Sequence, residues 1–144
     1  MKVERSALLP YSALQMYDIV ADIEAYPTFL NWCNTATVIG RAGNVVTARL
    51  SIAYSKLNMS FTTRNENAAG ESIALRLVDG PFTHLAGVWT FKRLNESACK
   101  VSLEMEFHFE RSAFSGIFSK AFEKIITKQL DAFQQRAEQL HGAA

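Results

Sequence analysis

From Val101 to Phe109 apolar and polar residues alternate without interruption, and after a short break the chain enters one long amphipathic segment that ends near His141. Val101, Leu103, Met105, Phe107 and Phe109 share one face of the predicted strand, while Ser102, Glu104, Glu106, His108 and Glu110 share the other. In the following segment Phe114, Phe118, Phe122, Ile125, Ile126, Leu130, Phe133, Ala137 and Leu140 recur at helical steps. Lys120, Lys124 and Lys128 fall on the opposite side. At 1.5 Å per residue the helix from Phe114 to Leu140 would be about 40 Å long, enough to lie diagonally across a curved sheet. Ser112 is placed to cap it and Gly142 to stop it. One sheet closed by one long rod suggests a protein built around a cavity.

The upstream sequence supplies the rest of the sheet. Lys2 to Leu9 reads as a first strand closed by Pro10, and Ser12 with Gln15 has capping-box spacing. The helix this starts buries Met16, Tyr17, Ile19, Val20 and Ile23, and Tyr26-Pro27 opposes its continuation. A short helical turn or loop is expected between Phe29 and Asn34. Six further strands follow, over Thr35 to Gly40, Val45 to Tyr54, Met59 to Asn67, Ser72 to Val78, Leu85 to Leu94 and Cys99 to Glu110. Turn residues separate them, at Ala42-Gly43-Asn44, Ser55-Lys56, Ala69-Gly70, Asp79-Gly80-Pro81 and Asn95-Glu96. The order predicts an α+β fold, a single domain over residues 1–144, with an antiparallel sheet of about seven strands and helices on one side. Alternation assigns Val46, Ala48, Leu50, Ile52, Met59, Phe61, Ile73, Leu75, Leu77, Trp89 and Phe91 to the inner face.

Bulk properties exclude several classes. Apolar residues make up 49% of the chain, yet no run approaches the ~20 that cross a bilayer. The start, Met1-Lys2-Val3-Glu4-Arg5, lacks the apolar core of a secretory signal, so residence in the cytoplasm is the expectation. Cys33 and Cys99 are far apart without ligand-like spacing and read as reduced thiols. A formal net charge of +1 gives no overall pull toward nucleic acid, and DNA is not an expected partner.

At Asp22-Ile23-Glu24-Ala25-Tyr26-Pro27-Thr28-Phe29-Leu30-Asn31-Trp32-Cys33, and again at Val78-Asp79-Gly80-Pro81-Phe82, the chain resembles the START-like polyketide cyclase/dehydrase family, in the branch of coenzyme-Q-binding proteins and ribosome association toxins. The similarity runs from Arg5 and Pro10-Tyr11 through Gly87-x-Trp89-x-Phe91 to the terminal helix. Asn31 departs from the family pattern, where proline is frequent, which implies a less rigid loop. The resemblance implies a helix-grip fold, with the sheet wrapped around the last helix and an apolar tunnel between them. It implies ubiquinone binding for some relatives, association with the large ribosomal subunit and block of subunit joining for others, and polyketide cyclisation for a third group.

Ten Phe, two Trp and four Tyr suit a quinone head or isoprenoid chain, although such rings also pack ordinary cores. The expected cavity wall is Phe61, Trp89, Phe91, Met105, Phe107, Phe118, Phe122 and Ile125, with Met105 as an adaptable part. Two polar residues break apolar patterns. Gln129 shares the inner sector of the helix with Phe122 and Phe133 and could donate to a quinone carbonyl; the other reading puts it at the tunnel mouth. Arg5 shares strand parity with Val3, Ala7 and Leu9, which points it inward, or else it pairs with an acid such as Glu104 or Asp79. Glu106, His108 and Glu110 line one strand face, but a solvated surface without a converging direction is not expected to bind metal. His84 and His141 read as loop and terminal residues, and no catalytic residue is assigned.

Lys120, Lys124 and Lys128 form the candidate partner surface, toward ribosomal RNA or anionic lipid heads. The leading expectation is a non-enzymatic protein that holds a hydrophobic ligand, ubiquinone first, in support of respiration, with no required cofactor and transient visits to the inner membrane. The alternative is a protein that binds the large ribosomal subunit and blocks subunit association. A polyketide aromatase/cyclase is third.

Overall fold

The computed structural model describes every residue except Lys56, Ala113, Phe114, Ala143 and Ala144. The expected helical role of Phe114 therefore lies outside the described residues. Seven strands form one antiparallel sheet in the order β1-β7-β6-β5-β4-β3-β2. They are β1 (Lys2–Leu9), β2 (Cys33–Ala42), β3 (Val45–Tyr54), β4 (Leu57–Ala68), β5 (Ser72–Asp79), β6 (Phe82–Asn95) and β7 (Ala98–Phe109). Helix α1 (Ala13–Ala21) follows β1, and α2 (Ser115–His141) ends the chain. Every strand from β2 onward pairs with the next by a hairpin, while β1 crosses to the far side of β7, with Val3 opposite Met105.

Local chemistry accounts for the element ends. The Ser12 side chain accepts from the Gln15 backbone N–H at 3.0 Å, and the Ser12 N–H donates to the Gln15 side chain at 2.9 Å, a complete capping box. Two of the terminal N–H groups that a helix leaves open are thereby satisfied. Near the other end of the chain Gly142 takes φ 79° and its N–H donates to the Glu138 carbonyl at 2.8 Å, which stops α2. The Tyr11 hydroxyl then donates to the Gly142 carbonyl at 2.9 Å, tying the helix end to the start of α1.

One local expectation is corrected. Ile23 is buried, but it does not belong to α1, which stops at Ala21; Ile23–Thr28 forms a 3₁₀ helix, earlier than the turn expected between Phe29 and Asn34. Tyr26-Pro27 sits inside that 3₁₀ segment. A short i→i+3 segment loses few hydrogen bonds to a proline, so the ring that would break an α-helix is accommodated.

The core lies between the concave sheet face and the inner side of α2. Phe107, Phe133, Leu103, Ile125 and Val101 are almost completely buried there. Phe122 is the hub, with ring centroids 4.8 Å from Phe107, 5.2 Å from Phe82 and 6.2 Å from Phe61. Edge-to-face geometry dominates, as expected where ring quadrupoles decide the last part of aromatic packing.

Candidate functional site

A cavity of about 60 Å³ lies between the sheet and α2. The inner faces of β3 to β7 contribute Ala48, Leu50, Phe61, Leu75, Leu85, Trp89 and Met105; α2 contributes Phe122, Ile125, Ile126 and Gln129. Ile23, Tyr26 and Trp32 close it from the 3₁₀ helix and the loop into β2. Of the residues expected to form the wall, Phe61, Trp89, Met105, Phe122, Ile125 and Gln129 are brought together here. Phe91 packs instead between Tyr17 and Trp89, at centroid distances of 5.7 and 6.3 Å. Phe107 is fully buried behind Phe122, and half-buried Phe118 lies 6.1 Å from Phe109; neither lines the cavity.

Two expectations are revised. Among the described residues the expected long tunnel is replaced by a small space: 60 Å³ is room for about two waters, well below the ~300 Å³ of an ordinary small-molecule site. The aromatic rings that suggest a guest fill most of the space themselves. Arg5 is exposed rather than inward, and its Nη1 donates to the Glu4 carbonyl at 2.9 Å. Strand β1 is an edge, so a long cation with inward parity can reach water around the rim and avoid an unpaired burial. Nor does Arg5 take Glu104 as a partner; Lys2 lies 3.9 Å from that carboxylate and 3.1 Å from Glu4.

The polar part of the cavity is formed by Thr63, Asn65 and Gln129, which are 6%, 7% and 8% exposed. The Thr63 hydroxyl donates to the Asn65 Oδ1 at 2.9 Å. Among the described residues, the Gln129 side chain and the Asn65 amide nitrogen make no hydrogen bond. Beyond Asn65 a further space of about 20 Å³ adjoins Asn67, whose buried Oδ1 has no partner. Thr63 and Asn65 were not anticipated, yet the signal was present. They continue the parity of Phe61 along β4, and inward parity was assigned only as far as the apolar residues reached.

Among the described residues Tyr26 is the one titratable residue of the cavity wall, and its hydroxyl donates to the Val20 carbonyl. Burial, reinforced by Cys33 and Asp22, pushes its phenol well above the ordinary range. Burial likewise pushes the Cys33 thiol up to about 11 and raises that of Cys99. Both cysteines are buried free thiols. Each of these acids is neutral when protonated, so the folded state holds its proton longer than the unfolded chain. The stability they contribute is full below the unfolded thiol value of about 8.5 and is lost as pH rises toward 11. The urea midpoint is therefore expected to stay level up to about pH 8.5 and then to fall, with a shallower fall in C33A.

On the outer side of the helix, Lys120, Lys124 and Lys128 are exposed, and none is in an ion pair among the described residues. Lys124 and Lys128 border a surface groove of about 480 Å³ together with Asn31, Tyr54, Asp131 and Gln135. Trp32 and Ile125 line both this groove and the inner cavity, so a single layer of side chains separates them. On the far sheet face the His84 Nε2 lies 3.3 Å from Glu106. Among the described residues no group of three metal-ligating side chains converges, and no helix is long and apolar enough to cross a membrane.

A curved antiparallel sheet closed by one long helix over an internal cavity defines a START-like, helix-grip protein. The chain belongs to the polyketide cyclase / dehydrase and lipid transport family, whose sequence profile matches residues 9–134. It is 41% identical over 140 residues to the ribosome association toxin RatA of Pseudomonas aeruginosa, with 97% of each chain covered. It is 27% identical over 141 residues to coenzyme Q-binding protein COQ10 homolog B of Xenopus laevis, covering 95% of this chain and 58% of that one. Its fold matches the Zhui aromatase/cyclase from Streptomyces with a TM-score of 0.85 at 16% identity, over 96% of this chain and 93% of that chain.

Proposed function

We propose that the protein is a non-enzymatic module that associates with the ribosome, on the large subunit, through the outer face of α2. The observation that carries this reading is the row Lys120, Lys124 and Lys128, three exposed and unpaired cations at four-residue spacing on one rigid helix. Ammonium groups one helical turn apart can each meet a phosphate of an RNA backbone and release its counterions. The name of the Pseudomonas aeruginosa relative points the same way. The cavity supports the non-enzymatic part, because amides, a hydroxyl and a committed phenol offer no group that exchanges protons near neutrality.

Sedimentation of lysate through a sucrose gradient tests the proposal. The protein is expected in the large-subunit fractions, and K120E/K124E/K128E is expected near the top of the gradient with its fold intact. Raising salt should release the wild type steeply, with a slope that falls by roughly two to three in the variant if each lysine meets one phosphate. Wild-type protein that never leaves the top, or a variant that sediments unchanged, overturns it.

A second reading, carriage of ubiquinone in support of respiration, draws on the similarity to the Xenopus laevis coenzyme Q-binding protein and on the Gln129 amide in an apolar cavity. It requires the 60 Å³ space to expand severalfold, with Met105 and Trp32 as the movable parts of the wall. Mass spectrometry of organic extracts from purified protein decides it: quinone should be recovered, and its absence together with indifference to added quinone ends this reading.

A further inference from the structure

The outer groove of about 480 Å³ beside the lysine row has a pattern of its own. Lys124, Lys128, Asp131 and Gln135 follow one another along α2 at steps of four, three and four residues, so they share one helix face, and all four line this groove. The charge changes sign along that face, from the cations at Lys124 and Lys128 to the carboxylate of Asp131. Across the groove stand Asn31, from the loop into β2, and Tyr54, at the end of β3. Among the described residues the side chains of Asn31, Tyr54, Asp131 and Gln135 make no hydrogen bond, ion pair or ring contact within the protein. Phe29 also borders the groove, but its ring is already covered by the Arg136 guanidinium at 5.0 Å. Half-buried Tyr54 is therefore the flat ring left open, above a floor of buried Leu30, Trp32 and Ile125.

We propose that this groove takes one unpaired guanine base of an RNA strand whose phosphates lie along Lys124 and Lys128, with Tyr54 stacked on the base and Asp131 reading its edge. The inference rests on ribosome association through α2 and narrows it to a single nucleotide. Asp131 repels a phosphate, which keeps the backbone at the lysine end of the groove. A base is uncharged and brings a flat face to the tyrosine and a polar edge to the carboxylate, the usual way in which unpaired RNA is recognised. Of the four bases, guanine alone sets two donors, N1–H and N2–H, side by side, and a carboxylate accepts both with its two oxygens. The neighbouring O6 needs a donor, which the amides of Asn31 and Gln135 offer. Adenine and cytosine place an acceptor beside their one amino group, and uracil flanks one donor with two acceptors, so each turns a lone pair toward the anion. A paired guanine is excluded because its partner already occupies that edge.

The test measures binding of the intact protein to fluorescein-labelled RNA hairpins by fluorescence anisotropy. The hairpins share one stem, which is either fully paired or carries a single unpaired guanine, inosine or adenine. The bulged hairpins have equal charge, so the lysine row treats them alike. The guanine bulge is expected to bind about tenfold tighter than the adenine bulge, the discrimination of one bidentate contact. Inosine keeps N1–H and O6 but lacks the N2 amino group, and should fall between them. D131N should bring the guanine-to-adenine ratio to one or below while raising affinity for every hairpin, because it removes an anion beside the phosphates; a merely structural role would lower all affinities together. Y54A should weaken the bulged hairpins about tenfold with little effect on the paired one, and Y54F should bind as wild type does. Thermal midpoints report whether each variant is folded, and the wild-type ratio decides even if one is not. Equal affinities for the guanine and adenine bulges, a preference that survives in D131N, or binding of no hairpin overturns the proposal. Protein that sediments with the large subunit yet shows no preference removes this inference alone, and protein that selects the guanine bulge but stays at the top of the gradient removes the ribosome reading alone.

Discussion

F133A is expected to lose about 3–5 kcal/mol of stability, a large share of the 5–15 kcal/mol that holds a typical domain folded. Phe133 is fully buried, and its ring meets Trp89 at 5.3 Å, Tyr26 at 5.4 Å and Phe29 at 5.6 Å, each near edge-to-face. It therefore joins α2 to the sheet and to the 3₁₀ helix at one point. Removing the ring subtracts its transfer free energy and leaves a hole that three other rings line. Those neighbours are held by their own partners: Tyr26 by the Val20 carbonyl, and Phe29 by the Arg136 guanidinium stacked 5.0 Å from its centroid. Little collapse is available, which places the cost toward the upper part of the range. Urea denaturation of F133A beside L8A, whose leucine is 71% exposed, measures it. The control should stay within about 0.5 kcal/mol, and a similar value for F133A would mean that the core closes over the gap.

G80A should be the second most damaging single change, at about 2–4 kcal/mol from combined backbone strain and overpacking. Gly80 has φ 153°, a conformation that side chains rarely enter. An added Cβ would also lie 2.7 Å from the Phe61 Cβ and 3.3 Å from its Cα. The turn between β5 and β6 thus comes within contact of the strand that holds the cavity wall, beside the irregular pairing at Thr62 and Thr63. Relief would push Phe61, a residue of the cavity wall, out of place. Urea denaturation measures the loss. Unchanged stability would mean that the turn rebuilds itself around the methyl group.

The alternation from Val101 to Phe109 and the helical stripe as far as Ala137 were enough to read the sheet, its closing helix and most apolar positions on the wall, because both signals are periodic and burial enforces them; Leu140, expected on the same stripe, is 51% exposed because it lies in the last turn, beyond the sheet. Gln129 was legible for the same reason, as a polar residue in an apolar phase. Thr63 and Asn65 were passed over because hydropathy marks their inward parity as a loss of pattern. The bulge at Thr62 adds to this, since Phe61, Thr62 and Thr63 are all buried in succession. Tyr26 and Trp32 reach the cavity from a 3₁₀ helix and a loop, where no repeat encodes direction. Arg5 shows the limit of parity at an edge strand: backbone phase aims the Cβ, while the cost of desolvating a guanidinium decides where the side chain ends. The size of the cavity was not readable at all, because it depends on how rings interlock and not on which faces they occupy.

The crossing of β1 to the outer side of β7 also governs the order of assembly. Met1 and Phe107, whose backbone groups meet at 3.0 Å, stand 106 positions apart. During synthesis at about 5–20 residues per second, the first strand waits several seconds for the neighbour that completes its ladder. The meander from β2 to β7 can zip locally in the meantime, while the amino-terminal segment remains an unpaired edge. Long-range closure of this kind raises contact order and slows folding toward the millisecond-to-second regime, so docking of the earliest-made strand should be among the last events in the life of the nascent chain.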